Sequence, residues 1–249
     1  GSGDNTSGVA LSQASLAATE LKPTQALAGG RKYALNPSMP GLTQLFNTGK
    51  AAVQLNVGPL VVPLTRAQYN SSDRQKYPLP PKLFSHNDQQ SVWQSSSPEG
   101  STIGWGGRFG DMAYTNNSNS LFTCISLSGN NVFLSGESAL QYQCSTSGAI
   151  AVRASSSNFF YQPELRTAFT QMLQKSSTHL LENTYNTVMK RGISAQGIVS
   201  QGLSGTSLRT TFPSGNKLAD QLKTVAQLIG ARNTLGTKRQ VFMVSLGGF

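Results

Sequence analysis

The sequence predicts an α/β fold, and three observations predict it. A short helical stretch, Pro40–Gly49, runs directly into the apolar segment Ala51–Val57. Strand-forming residues recur over 120–152 around a Gly129-Asn130-Asn131 turn. A long helical periodicity then starts at Pro163 and gives way to the apolar run Arg239–Leu246. Helix, glycine, apolar strand is the cadence of an α/β domain.

Taken in order, Gly1–Gly8 is a polar, glycine-rich opening that reads as a flexible stub or cloning scar. Residues 9–21 are apolar at irregular spacing, and Pro23 stops any helix, so this segment is expected to be weakly structured or a short strand. Pro40 suits a first helical turn, Leu42, Leu45 and Phe46 share a face, and Gly49 fits a C-cap. Ala51–Val57 is expected to be a buried strand ending at Gly58-Pro59. The prolines at 59, 63, 78, 80 and 81 make the following stretch an extended excursion. Ser85 with Asp88 three residues on resembles a capping box for a helix over 85–94, with 95–107 as loop and Phe109–Tyr114 as a short helical piece.

The 120–152 region reads as antiparallel: Phe122–Ser128, Val132–Leu134, then one or two strands within Gln141–Val152. From Pro163, Leu165, Phe169, Met172, Leu173, Leu180, Leu181, Tyr185, Val188 and Met189 keep the spacing of an amphipathic helix up to Arg191-Gly192, as one long helix of about 28 residues or two in series, with His179 at the edge of the core. Four glycines and a proline mark 193–215 as loop, and Lys217–Ala231 is a further helix. This gives a weakly structured segment over 1–30 and a single α/β domain over 31–249, β-rich at 120–152 and helical at 163–231.

The chain has 249 residues, 37% of them hydrophobic, enough for a core. Only 12% are charged, about half the usual ~25%. Ser, Thr, Asn and Gln take their place, as in secreted and cell-envelope proteins. The net charge is +10, but the basic residues are scattered in pairs such as Arg31-Lys32, Lys190-Arg191 and Lys238-Arg239. A nucleic-acid partner needs a concentrated patch, so none is expected. No run of apolar residues is long enough to span a membrane. The reading favours a disulfide between Cys124 and Cys144 over two free thiols, which would contribute ~3 kcal/mol by closing the loop between them. Neither a Cys-x-x-Cys pair nor a nearby histidine points to zinc, and no metal site is expected in the chain itself.

Chemistry is concentrated in residues 83–112, which hold His86, Asp88, Gln89, both tryptophans (Trp93 and Trp105), Gly104-Trp-Gly-Gly107 and Arg108. On a loop, His86 and Asp88 could converge on a substrate; on a helix, they cap and point apart. Trp105 beside flexible backbone suits sugar or peptide contact, or a structural turn.

Several of these segments together resemble a known family. They are Ala52–Val62, Thr65-Arg66-Ala-Gln-Tyr69, Pro78 through Gln90 with its Ser-His-Asn-Asp-Gln-Gln, Gly104–Arg108, Ile125–Asn131 and Val244-Ser-Leu-Gly-Gly-Phe249. The chain resembles, over about residues 30–249, the secreted bacterial family of domain of unknown function 1501, a distant relative of the alkaline phosphatases and sulfatases. The resemblance implies a partial three-layer α/β/α sheet of alkaline phosphatase-like type with an antiparallel β insertion, twin-arginine export, and a periplasmic or secreted location. It also implies ancestry in metal-dependent phosphoric or sulfuric ester hydrolysis. In that family Asp-Thr-His follows Gly-Gly-Phe, with further acidic and histidine motifs beyond; this sequence has none of them. His86, Asp88 and Gln89 are the polar motif residues that remain, so a divalent metal is expected only in a longer parent chain, and the chain alone is expected to be inactive. The alternative is a non-catalytic envelope protein that keeps the fold for binding or assembly, with other envelope proteins or missing segments of its own parent as partners.

Overall fold

The computed structural model describes residues 10–55, 57–97, 100–152 and 162–247. The expected N-terminal stub and the final Gly248-Phe249 lie outside them. The chain divides into two compact units, Gly1–Gly58 and Pro59–Phe249, whereas the composition placed the boundary near residue 30.

In the first unit, Ser12 caps a single turn α1 (Gln13–Leu16) by accepting from the Ser15 N–H. Thr19 and Leu21 then pair across an antiparallel bridge at Glu20 and Ala34, with the Leu21 N–H donating to Tyr33 O at 2.9 Å. Helix α2 (Pro40–Asn47) has Pro in its first turn and Gly49 at φ +71°, where a left-handed residue closes the end. Asn47 clasps the bridge region, accepting from Lys22 N–H at 2.8 Å and donating to Glu20 O at 3.3 Å.

The strand expected over Ala51–Val57 does not form in the described residues. Val53 and Leu55 keep the alternation of a strand and line an apolar cleft of about 110 Å³ with Leu21, Tyr33 and Phe46. No neighbouring strand supplies a hydrogen-bond ladder, and the segment stays irregular.

The second unit carries a four-stranded mixed sheet in the order β3-β2-β1-β4, from β1 (Cys124–Ser126), β2 (Gln141–Ser145), β3 (Gly148–Ala149) and β4 (Val241–Met243). The architecture is therefore α/β. β1 pairs in parallel with both β2 and β4, and only the β2–β3 hairpin is antiparallel. This corrects the all-antiparallel reading of 120–152. The Gly129-Asn130-Asn131 turn does not fold β1 back on itself, because Val132–Leu134 is spent as a turn, with Ser135 N–H donating to Val132 O at 3.0 Å. The chain crosses before β2 starts.

Helices follow the sequence with instructive departures. Single-turn α3 (Arg66–Tyr69) has a full capping box between Thr65 and Gln68. Helix α4 (His86–Ser95) starts at Ser85 as expected. Helix α5 (Trp105–Ala113) begins four residues before the predicted piece and absorbs the Gly-Trp-Gly-Gly turn. After α6 (Pro163–Gln174), α7 spans Leu180–Ser204, through Gly192, Gly197 and Gly202 and into the predicted loop 193–215, of which 205–215 remains loop. Packing overrides the ~1 kcal/mol cost of each helical glycine. At Gly202 the absent side chain lets Ala231 approach closely. His179 is the exposed N-cap of α7, not a residue at the core edge. Helix α8 (Lys217–Gly230) and the turn α9 (Arg232–Leu235) complete the set.

Both faces of the sheet are covered, as a parallel sheet requires. Ile125, Tyr142, Cys144 and Phe242 pack against Ala195 and Val199 of α7, Leu228 of α8 and Leu235 of α9. Burying Ile125, Leu228 and Leu235 contributes about 1.5–3 kcal/mol each. On the other face Cys124, Val241 and Met243 meet Phe133, Leu134 and Ala139. Leu180, Leu181 and Tyr185, expected on the buried stripe, are exposed, and the core contribution of α7 comes from its second half.

The same alternation overturns the disulfide. Cys124 is in register with Gln141, and Ile125 with Tyr142, so Cys124 and Cys144 point to opposite faces of the sheet and belong to different clusters. Side chains that point apart cannot be bridged without moving the backbone. Both thiols are free and buried, and burial pushes each up to about 11. The expected result is that alkylation of the denatured, unreduced chain labels both cysteines, while the native chain at neutral pH reacts far more slowly. A chain that needs a reductant before it can be labelled would contradict this.

Candidate functional site

Ligands of open α/β sheets gather at the carboxyl ends of parallel strands. Here the carboxyl ends of β1 and β4 lie side by side, joined where Leu127 N–H donates to Met243 O at 3.0 Å. Beyond β4, Gln221 of α8 treats Ser245 as a strand partner. Its amide donates to Ser245 O at 2.8 Å and accepts from Ser245 N–H at 3.0 Å. A side chain thus fixes the backbone that leaves β4.

Beyond β1, the Ser126–Asn131 turn is locked by amides and hydroxyls. Asn131 donates to Ser126 Oγ at 2.9 Å and to Gln141 Oε1 at 2.7 Å, and its Oδ1 accepts from Leu134 N–H at 3.0 Å. Gln141 also donates to Asn130. Facing this turn, α4 contributes Asn87, Gln90 and Gln94, and together they line a cleft of about 270 Å³. Gln94 accepts from Phe133 N–H at 3.0 Å, which ties α4 to the turn. Among its described lining residues none is ionisable. An uncharged row of amides offers paired donors and acceptors without a fixed charge, a surface that suits hydroxyl or amide groups of a ligand.

None of the predicted site residues is among the described residues that line this cleft, and they do not form one constellation. His86 and Asp88 lie on α4 two residues apart, which rotates them about 200° from each other. His86 is exposed. Asp88 is buried, where its Oδ2 accepts from Ser85 Oγ at 2.6 Å and Lys82 Nζ lies 3.5 Å from its Oδ1. Gln89 reaches back to Pro81 O and Lys82 O at 3.3 and 3.4 Å. The approach to α4 is strained, since Lys82 (φ 48°) and Phe84 (φ 70°) are both left-handed without being glycine. Phe84 stands 84% exposed.

Trp105 donates from Nε1 to Trp93 O at 2.8 Å and meets Phe133 edge-on at 4.4 Å. It braces α4 against α5 and the turn that follows β1. Arg108 is exposed one turn before Asp111. Asp111 accepts from the N–H groups of Glu137, Ser138 and Ala139 at 2.8–2.9 Å. Burial pushes its carboxyl up, but these three donors and Arg108 more than offset that and leave it below the usual 3.8. Its stabilising contribution is complete above 3.8 and is lost as pH falls through the lower folded-state value. Asp111→Asn is therefore expected to lower stability at neutral pH and to flatten the acid limb of a stability–pH curve, read by urea unfolding between about pH 2 and 6. An unchanged acid limb would contradict that role.

Asn130, Asn131, Gln90 and Gln94 were missed because sequence patterning assigns amides to turns and solvent. The signal available was the Ser-Gly-Asn-Asn run directly after an apolar strand. For a metal, the residues do not fit. No group of three or more His, Cys, Asp or Glu side chains comes together among the described residues, and Asp88 and Asp111 already have structural partners. No described helix is long and apolar enough to cross a membrane. Compared with known families, curated proteins and solved structures, the chain matches none.

Proposed function

We propose that the chain supplies the sheet and the substrate-framing edge of a phosphoric or sulfuric ester hydrolase of the bacterial envelope, of the alkaline phosphatase-like type that its motifs resemble. The observation that carries this reading is the amide-lined cleft at the carboxyl end of β1, next to the Gln221-fixed exit of β4. In the resembled family, the ion-binding Asp-Thr-His follows that exit. The cleft then holds the uncharged, hydroxyl-bearing part of an ester, and the ester bond lies toward Ser245–Gly247. On this reading the ion ligands come from the segment that follows, in keeping with the lack of any group of three or more His, Cys, Asp or Glu among the described residues, and the chain's own contribution is binding and orientation.

Gln90 and Asn87 are exposed and have no partner among the described residues, so replacing them leaves the fold intact. In an active chain that includes the residues after Phe249, Asn87→Ala with Gln90→Ala is expected to raise KM for p-nitrophenyl phosphate or sulfate several-fold with kcat unchanged. A fall in kcat at constant KM would contradict a purely binding role for the cleft.

A second reading, a non-catalytic envelope binding protein, is favoured by one observation. The two acids of the central stretch, Asp88 and Asp111, both serve structure. A parent sequence without Asp-Thr-His after Phe249 selects this reading.

A further inference from the structure

A second cleft, of about 310 Å³, opens at the amino-terminal ends of β1 and β2, where the turns before Leu121 and Leu140 meet the middle of α7. Its size is at the lower end of small-molecule sites. Among its described lining residues, Arg191 is the one charged side chain. Four hydroxyls share the cleft with it, from Tyr114, Ser120, Ser138 and Ser194. None of these hydroxyls, nor the guanidinium, has a hydrogen-bond or ion-pair partner among the described residues. The acids nearest in sequence, Asp111 and Glu137, do not line the cleft, and Asp111 is held by three backbone amides.

The floor is different in kind. Ala195 is buried in the main core, and Leu121 and Ile198 pack against that core while still facing the cleft. Surplus donors around one guanidinium, with no acid in the lining, select an oxyanion, and the planar fork of arginine matches its geometry. The apolar floor selects an organic body attached to it.

We propose that this cleft binds a small organic oxyanion, its carboxylate or phosphonate-type group on Arg191 and its apolar body over Leu121, Ala195 and Ile198. The site is separate from the amide-lined cleft, so it stands whether or not the hydrolase reading does.

The test is an amide chemical-shift titration of the ¹⁵N-labelled chain with phenylphosphonate, phenylacetate, inorganic phosphate and benzyl alcohol. The expected result is saturable movement at Leu121, Ala139, Leu140 and Ala195 with phenylphosphonate or phenylacetate, and the tighter of the two names the head group. Inorganic phosphate and benzyl alcohol are each expected to bind at least about tenfold more weakly, because each lacks one half of the ligand. Arg191→Gln is expected to weaken the aryl anion about tenfold or more, while Arg166→Gln on exposed α6 leaves it unchanged. Both substitutions are on exposed side chains, and the spectrum itself reports folding. The proposal is overturned if neither aryl anion moves these amides, if benzyl alcohol or phosphate binds as well, or if Arg191→Gln binds normally.

Discussion

Gly107→Ala is expected to destabilise the second unit by about 3 kcal/mol or more. A Cβ at Gly107 would overlap the carbonyl of Ser135, and one at Gly104 the carbonyl of Val132, both backbone atoms with no flexible end to swing away. The close approach is itself bonded, with Gly107 N–H donating to Phe133 O at 2.8 Å and Gly104 N–H to Ser135 O at 2.9 Å. The first turn of α5 therefore lies directly on the 132–136 segment, and Trp105 between the two glycines packs on Phe133. Gly197→Ala is the matched control, because its Cβ would meet nothing within 4 Å in the middle of α7. That change is expected to stabilise by up to about 1 kcal/mol through helix propensity. Urea midpoints should therefore move in opposite directions. A tolerated Gly107→Ala would mean that α5 and the 132–136 segment are not in contact.

Asn117→Ala is expected to cost about 3 kcal/mol, which lowers the melting temperature by roughly 6–12 °C in a unit of this size. Asn117 is buried and uses both ends of its amide to join segments about 120 residues apart in sequence. Nδ2 donates to Thr123 Oγ1 at 2.9 Å and to Arg239 O at 2.8 Å, and Oδ1 accepts from the N–H groups of Lys238 and Arg239 at 2.7 and 3.0 Å. Alanine would leave four polar groups without their partner at the point where β4 enters the sheet. Asn117→Asp keeps the acceptor and loses both donors, so an intermediate loss is expected. A change below about 1 kcal/mol in Asn117→Ala would show that water replaces the amide freely.

These two sites show where the sequence was legible. The Ser85 N-cap, Pro163 at the start of α6, and the helical spacing over Lys217–Ala231 are local signals, and each produced the expected helix. Asp88, however, accepts from the Ser85 hydroxyl and does not complete a capping box. Helix α8 buries Ala219, Gln221, Thr224 and Leu228, while Leu222 and Ile229 of its apolar stripe are exposed. Asn117, Gln221 and Asn131 act through partners distant in sequence, and nothing in their immediate neighbours announces it. Sheet direction failed for the same reason. A Gly-Asn-Asn turn after β1 predicts a hairpin, but parallel pairing with β4 brings together residues more than a hundred positions apart. Helix α7 was cut short because three glycines outweighed its apolar spacing locally, whereas the sheet it covers rewards a continuous helix. At the candidate site, α4 could be placed from sequence, and so could the turn facing it. Their meeting could not.

The most direct measurement is hydrolysis of p-nitrophenyl phosphate and p-nitrophenyl sulfate, with zinc, magnesium or manganese supplied. It compares residues 1–249 with the chain continued through whatever its gene encodes after Phe249. The account predicts no turnover above the blank for residues 1–249 and metal-dependent turnover for the continued chain. Metal-dependent turnover by residues 1–249 alone would contradict it, because the ion ligands would then lie within a residue set assigned only to binding. A continued chain that carries Asp-Thr-His, folds and still turns over neither ester would also contradict it, and would leave the amide-lined cleft to the non-catalytic binding protein.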